Sequence, residues 1–166
     1  MLIPPARKTW APRGQTPLFR HRYRRERISA ISALSLSPRR RRLGLYWHLH
    51  PKNIQQAEVS GFLRHLLRRL RGHVVLLWDG GRPHRGGMVR ELCRRFRRLH
   101  LERFPAYAPE LNPDEGVWTH LKRMLSNGRP DALDELHEAL LCALEKLRAS
   151  PRLLRGCLRH SKLPGF

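Results

Sequence analysis

The sequence predicts an α/β fold in which antiparallel strands come first and helices alternate with strands afterwards, so that helices pack on the faces of one mixed sheet. Three observations carry this. "LGLYWHLH" (43–50) alternates with the two-residue period of a strand. From Asn53 the apolar residues recur at three and four instead, the spacing of a helix. "HVVLLWD" (73–79) is an unbroken apolar run between two helical stretches, the composition of a strand covered on both faces. At 166 residues the chain is one domain's worth of protein, long enough to bury a core.

Taken in order, "KTWAPRGQTPLF" is punctuated by Pro12, Gly14 and Pro17 and reads as a strand turning at Arg13-Gly14. "RISAISALSLS", bounded by Pro38, fits a more deeply buried strand. In "LGLYWHLH", Leu43, Leu45, Trp47 and Leu49 share one face, and Gly44, Tyr46, His48 and His50 the other. A helix follows with Ile54, Phe62, Leu63, Leu66, Leu67 and Leu70 on its apolar side. Asn53 with Gln56 makes a capping box at its start, and Gly72 supplies its stop. After the apolar strand comes the loop "GGRPHRGG". Met88, Val89, Leu92, Cys93 and Phe96 mark a second helix, and "LHLERF" is a short strand leading into "PAYAPELNP". A third helix carries Val117, Trp118, Leu121 and Leu125. A fourth runs from about Asp131 to the Ser150-Pro151 break, with Leu133, Leu136, Leu140, Leu144 and Leu147 on its apolar face. No internal repeat or low-complexity linker divides the chain.

Charge narrows the partners. Lys and Arg total 34 against 13 Asp and Glu, a formal net charge of +21, far beyond what solubility requires. A polyanion is the expected partner. Most of the cations are Arg, suited to bidentate contact with phosphate oxygens, and binding built on such contacts weakens steeply with salt. No apolar run reaches the ~18 residues of a membrane span, and the start, "MLIPPARKTW", lacks the apolar core of a signal peptide. A cytoplasmic protein without membrane contact is expected. Cys93, Cys142 and Cys157 are far apart and odd in number, each among apolar residues at helical spacing, and are expected to be reduced core thiols.

Acidic residues are scarce enough to count individually. Before Asp79 there are only Glu26 and Glu58. Asp79 stands at the carboxyl end of the apolar strand, where α/β sheets open into a ligand-binding crevice, and Gly80 and Gly81 leave the space above it clear. The same carboxylate could also cap the turn between strand and helix. In "NPDE", Asn112 is at N-cap, Pro113 at N1 and Glu115 at N3, a capping box with the favoured proline, and Asp114 complements the helix dipole. The stiff lead-in "FPAYAPEL" is unusual for an ordinary cap. With 35 residues between Asp79 and Glu115, one helix and one strand would return the chain to the same sheet edge. Two carboxylates there suit Mg²⁺ or Mn²⁺, and a pair of such ions activates the attacking oxygen and stabilises the leaving one in phosphodiester cleavage.

"LLWDGGRPHRG" followed by "FPAYAPELNPDEGVWTHLK" resembles the catalytic domain of mariner-like DDE transposases, particularly the bacterial insertion-sequence branch. Asp79, His84, Tyr107, Pro109, Leu111, Asn112, Pro113, Glu115 and Trp118 fit the pattern, and "RKTWAPRGQTP" looks like the segment after that family's first catalytic Asp. The match runs from residue 5 to about 125. The resemblance implies an RNase H-like fold, with Asp79 and Glu115 as the second and third catalytic acids and metal ligands, and two Mg²⁺ or Mn²⁺ ions in the intact enzyme. Asp114 falls in the motif's variable slot. Arg82, His84, Arg85, Lys122 and Arg123 are the candidate nucleic-acid contacts. Gly80 stands where the family usually has Asn, and Ala108 where it has Ser.

The family's first Asp lies on a strand just upstream of "MLIPPARKTW", between the antiparallel strands and the strand ending at Asp79. Residues 1–166 are therefore read as a single partial domain, lacking that central strand and the amino-terminal helix-turn-helix region, with 127–166 as a helical carboxy-terminal extension. Metal-dependent strand cleavage and transfer of an insertion sequence is the implied activity. The chain alone is expected to be inactive or incomplete, completed by an upstream-encoded part. Its implied partners are double-stranded DNA, as element ends and target, and a second copy in a homodimer on DNA. The alternative is a non-catalytic, basic nucleic-acid-binding remnant that has kept the scaffold.

Overall fold

A computed structural model describes residues 12–14, 28–79, 81, 86–125 and 132–163. The turn expected at Arg13-Gly14 is present, with Gly14 at φ +85°; the strands expected on either side of it, like most of the loop 80–85, lie outside the described residues.

Strands β1 (Ser29–Leu36) and β2 (Leu43–His50) form an antiparallel hairpin in register from Ser29↔His50 to Leu36↔Leu43. Its connection is tied by Ser37, whose Oγ accepts from the backbone N–H groups of Arg41 and Arg42. Helix α1 (Gln56–Arg69) starts two residues later than its sequence suggests. The capping partner is Glu58, whose carboxylate accepts from the Gln55 N–H at 2.8 Å; an ionised acid there outcompetes the neutral amide of Gln56. α1 ends at Arg69, where Leu70 turns extended; Gly72, the expected stop, makes its left-handed turn at φ +74° two residues beyond that cap.

Strand β3 (Val74–Trp78), helix α2 (Gly87–Arg95) and strand β4 (Leu99–Arg103) make a parallel βαβ unit in register from Val74↔Leu99 to Trp78↔Arg103. Arg98 locks it to α1: its guanidinium donates to the carbonyls of Leu67, Leu70 and Gly72, acceptors that the end of a helix leaves unpaired. Beyond β4 a 3₁₀ turn at Pro109–Leu111 precedes α3 (Asp114–Leu125), α4 (Leu133–Arg148) and α5 (Pro151–His160). The Ser150-Pro151 break proves to be a start as well as a stop. Ser150 Oγ accepts from the Leu153 N–H, and Pro151 takes the first-turn position it favours.

Two cores sit on opposite faces of the β1–β2 hairpin. Ile31, Ala33 and Tyr46 pack toward Val59, Phe62, Leu63, Leu66 and Leu67 of α1, Val89 and Leu92 of α2, and Trp78 and Leu99 of the parallel pair. Leu45, with Leu34, Leu43, Trp47 and Leu49, packs instead on Val117 and Leu121 of α3, Ala143, Leu144 and Leu147 of α4, and Leu154 and Cys157 of α5. The alternation in "LGLYWHLH" thus separates two apolar faces rather than an inside from an outside.

The described strands form two two-stranded sheets instead of one continuous sheet. The division falls between the antiparallel pair and the parallel pair. It also corrects the expectation for β3: Val74, Leu76 and Trp78 face the first core, but Val75 is 65% and Leu77 42% exposed. Only one face of the parallel pair carries helices among the described residues, so the unbroken apolar run is half covered. Cys142 is a second correction. It is exposed on α4, whereas Cys157 is buried and Cys93 half-buried; all three are free thiols.

Candidate active site

Strands β3 and β4 run parallel and end level, with Trp78 opposite Arg103 and the Phe104 N–H donating to the Trp78 carbonyl at 3.0 Å. Asp79 is the next residue after β3 and is exposed. Its Oδ1 accepts from the Gly81 N–H at 3.2 Å, so the turn-capping role is real. From the same edge the chain continues through 104–113 into α3, whose first turn carries Asp114 and Glu115. Both predicted acids therefore follow strands that finish at one edge of the parallel pair.

The lead-in to α3 is tied down at several points. Asn112 Oδ1 accepts from the Asp114 N–H at 3.1 Å, the expected N-cap bond. The reciprocal arm of the capping box is not used: the Asn112 N–H donates to the Pro109 carbonyl. The Lys162 N–H, just beyond α5, donates to the Glu110 carbonyl at 2.8 Å. Tyr107 is fully exposed at φ +59°, a left-handed conformation costly for an aromatic residue. Released from capping, the Glu115 side chain is exposed.

Asp114 behaves differently. Its Oδ2 accepts from Ser32 Oγ on β1 at 2.5 Å and from Trp118 Nε1 at 3.1 Å, one helical turn on. Its Oδ1 is buried and has no hydrogen-bond partner among the described residues. Burial pushes this carboxyl up to about 6, against the lowering effect of the bonds from Ser32 and Trp118 and with a small further push from Glu115. Burial likewise raises the Cys157 thiol, and the nearby Asp114 charge adds to it. Sequence reasoning assigned Asp114 only a dipole role. Trp118 at i+4 was the local signal available; Ser32, 82 residues away, was not visible.

Lys122 and Arg123 are exposed on the last turns of α3. Seven residues beyond Glu115, Lys122 lies on the same stripe, roughly 10 Å along the axis. Arg82, His84 and Arg85 lie outside the described residues. As a donor set, Asp79 and Glu115 offer only hard carboxylate oxygens, which fit Mg²⁺ or Mn²⁺; Mg²⁺ is commonly held by one or two carboxylates together with water and substrate phosphates. Among the described residues no group of three or more acids, His or Cys forms a closed metal cage. No helix among them is long and apolar enough to cross a membrane.

The profile of the DDE superfamily endonucleases matches residues 2–137. The chain belongs to that family. Its fold is similar to the crystallised catalytic domain of Mos1 mariner transposase, at 15% identity and a TM-score of 0.50 over 80% of each chain. It is also similar to the Mos1 paired-end complex with Mn (18%, TM-score 0.57) and the Mos1 strand transfer complex (19%, TM-score 0.55), covering 94% of this chain in both and 51% and 50% of those chains. The DDE endonuclease chain thus spans about half the length of those transposases. No curated protein sequence matches it significantly. The RNase H-like expectation is met: an antiparallel pair, then a parallel pair, with helices packed on them.

Proposed function

We propose that the chain is the catalytic domain of a DNA transposase, in which Asp79 and Glu115 hold divalent metal at the end of the parallel pair. The observation carrying this is the level termination of β3 and β4, which starts both acid-bearing segments from one edge in a chain matching the endonuclease family over residues 2–137. Glu115, free of capping duty, presents its carboxylate to solvent at the start of α3. Asp79 is held at the end of β3 by the Gly81 N–H. The Arg-rich surface, with Lys122 and Arg123 on α3, supplies phosphate contacts that fix DNA relative to those acids. When bound, two Mg²⁺ or Mn²⁺ ions supply charge neutralisation at the attacking and leaving oxygens of a phosphodiester.

Mos1 has been solved as a paired-end complex with Mn and with its left transposon end, which supports double-stranded element ends, a divalent metal and a homodimer on DNA here too. The insertion-sequence branch, the extension at 127–166, and action in the cytoplasm at the nucleoid belong to the same proposal. The test is nicking and joining of duplex DNA with Mn²⁺ by this chain. Asp79→Asn and Glu115→Gln are each expected to abolish metal-dependent cleavage while leaving DNA affinity nearly unchanged. Cleavage that survives either substitution would defeat the assignment; salt-sensitive DNA binding with no cleavage would favour the non-catalytic remnant.

A further inference from the structure

We propose that Asp114 and Ser32 are positioning residues for Glu115, joining the first turn of α3 to β1 so that the neighbouring carboxylate is aimed before any ligand arrives. This rests on Glu115 being a metal ligand. Four observations converge on the first turn of α3. Asp114 Oδ2 takes hydrogen bonds from two separate elements, Ser32 Oγ on β1 at 2.5 Å and Trp118 Nε1 within α3 at 3.1 Å. Ser32 is held in the middle of the hairpin, paired with Trp47, on the face that also carries Leu34. On its other side α3 meets α5 without a spacer: a Cβ on Gly116 would lie 3.0 Å from Cys157 Cβ and 3.2 Å from its Cα. The lead-in is pinned by Lys162 to Glu110.

Consecutive residues on a helix are rotated by roughly 100°. A first turn fixed at Asp114 on one side and Gly116 on the other therefore leaves Glu115 little freedom of direction except in its own side-chain torsions. The cost of the arrangement argues against a purely packing role. Asp114 keeps one oxygen, Oδ1, buried with no partner among the described residues, a state that folded proteins rarely tolerate. Apolar side chains at this position and at Ser32 would fill the same space without that cost. What an apolar residue would not supply is a directional bond to Ser32. Aligning a ligand through such outer contacts is how sites with few ligands hold their geometry.

The test uses the whole chain and Mn²⁺ as probe, followed by paramagnetic broadening of amide signals, which reports both where the ion sits and how strongly. In the wild type, amides at Gly81 and Gly116 are expected to broaden together, and Glu115→Gln to remove the effect at Gly116. Ser32→Ala, with its fold and thermal midpoint checked in parallel, is expected to raise the Mn²⁺ needed at Gly116 by about tenfold, the low end for loss of an outer contact. Ser32→Thr, which keeps the hydroxyl, is expected to restore it. Wild-type broadening in Ser32→Ala overturns the positioning role. So does an equal loss in Ser32→Thr accompanied by a lowered midpoint, because that is what a structural defect alone produces. If the two amides do not broaden together in the wild type, or Glu115→Gln changes nothing, Glu115 is not a ligand, and the positioning role falls with that reading.

Discussion

Ser32 of β1 and Asp114 of α3, 82 residues apart, meet through a 2.5 Å hydrogen bond that links the hairpin to the helix carrying Glu115. The bond persists despite the burial of the carboxyl, which lifts its pKa from 3.8 to about 6. In the unfolded chain Asp114 releases its proton near 3.8; in the folded chain it holds it to about 6. The native state therefore binds more protons between those values, and stability falls as pH rises through the window. The penalty is absent below about pH 4 and complete above about pH 6, worth on the order of 3 kcal/mol. Urea unfolding of the wild type and Asp114→Asn at pH 4 and pH 7 checks this. The asparagine variant should gain relative to the wild type as pH rises; a constant difference between the two refutes the burial argument.

Gly116 explains why α3 and α5 approach so closely. An alanine there gains helix propensity of about 1 kcal/mol, but its methyl meets the Cys157 backbone at 3.2 Å, where no side-chain rotation relieves it. Overpacking of this kind costs about 1–3 kcal/mol, so the net effect is destabilising by about 1 kcal/mol. Thermal unfolding of Gly116→Ala gives the check: a lowered midpoint is expected, and a midpoint above the wild type would contradict the close approach.

How much of this was legible depended on distance along the chain. The two-residue period of 43–50 and the three-and-four periods of α1 to α4 come from neighbours in sequence, and all are found as elements. The half-exposed state of β3 was hidden because "HVVLLWD" has the same composition whether one face or two is covered; only the partner of each face decides, and Val75 and Leu77 find none among the described residues. For the site, Asp79 and Glu115 stood out by their scarcity and by local grammar. Asp114 did not, because its meaning lies in Ser32 and in burial, neither of which has a local pattern.

Arg98 predicts a specific loss. Its guanidinium satisfies carbonyls of Leu67, Leu70 and Gly72, closing the end of α1 onto the start of β4. Arg98→Met keeps most of the apolar stem and removes the donors, leaving the part-buried carbonyls of Leu67 and Leu70 without the guanidinium. A cost of about 2–3 kcal/mol follows for lost charged hydrogen bonds, seen as a lower urea midpoint with the slope unchanged. Amide exchange should quicken first at the last turn of α1, where protection depends on this contact.

Tyr107 stores strain at the approach to α3. Its φ of +59° places an aromatic residue in the left-handed region although its side chain is fully exposed and contributes no packing. Asparagine adopts that conformation more readily, so Tyr107→Asn is expected to stabilise the fold by about 1 kcal/mol. A higher thermal midpoint would agree, and a lower one would show that the ring is held by contacts that its exposure denies.

Lys122 offers the sharpest separation of DNA contact from chemistry. It is exposed on the stripe of α3 that begins at Glu115, and nothing about its position suggests base reading. A lysine that meets a phosphate contributes counterion release, so Lys122→Ala should weaken duplex binding to a similar degree for every sequence. The slope of log affinity against log salt should become shallower by about 1. Glu115→Gln removes a negative charge from the same stripe and should, if anything, tighten binding while removing metal dependence. Fluorescence anisotropy across a salt series, with a random and a defined duplex, distinguishes the two. An unchanged slope for Lys122→Ala would place the DNA on another face and separate the phosphate track from the edge where β3 and β4 end.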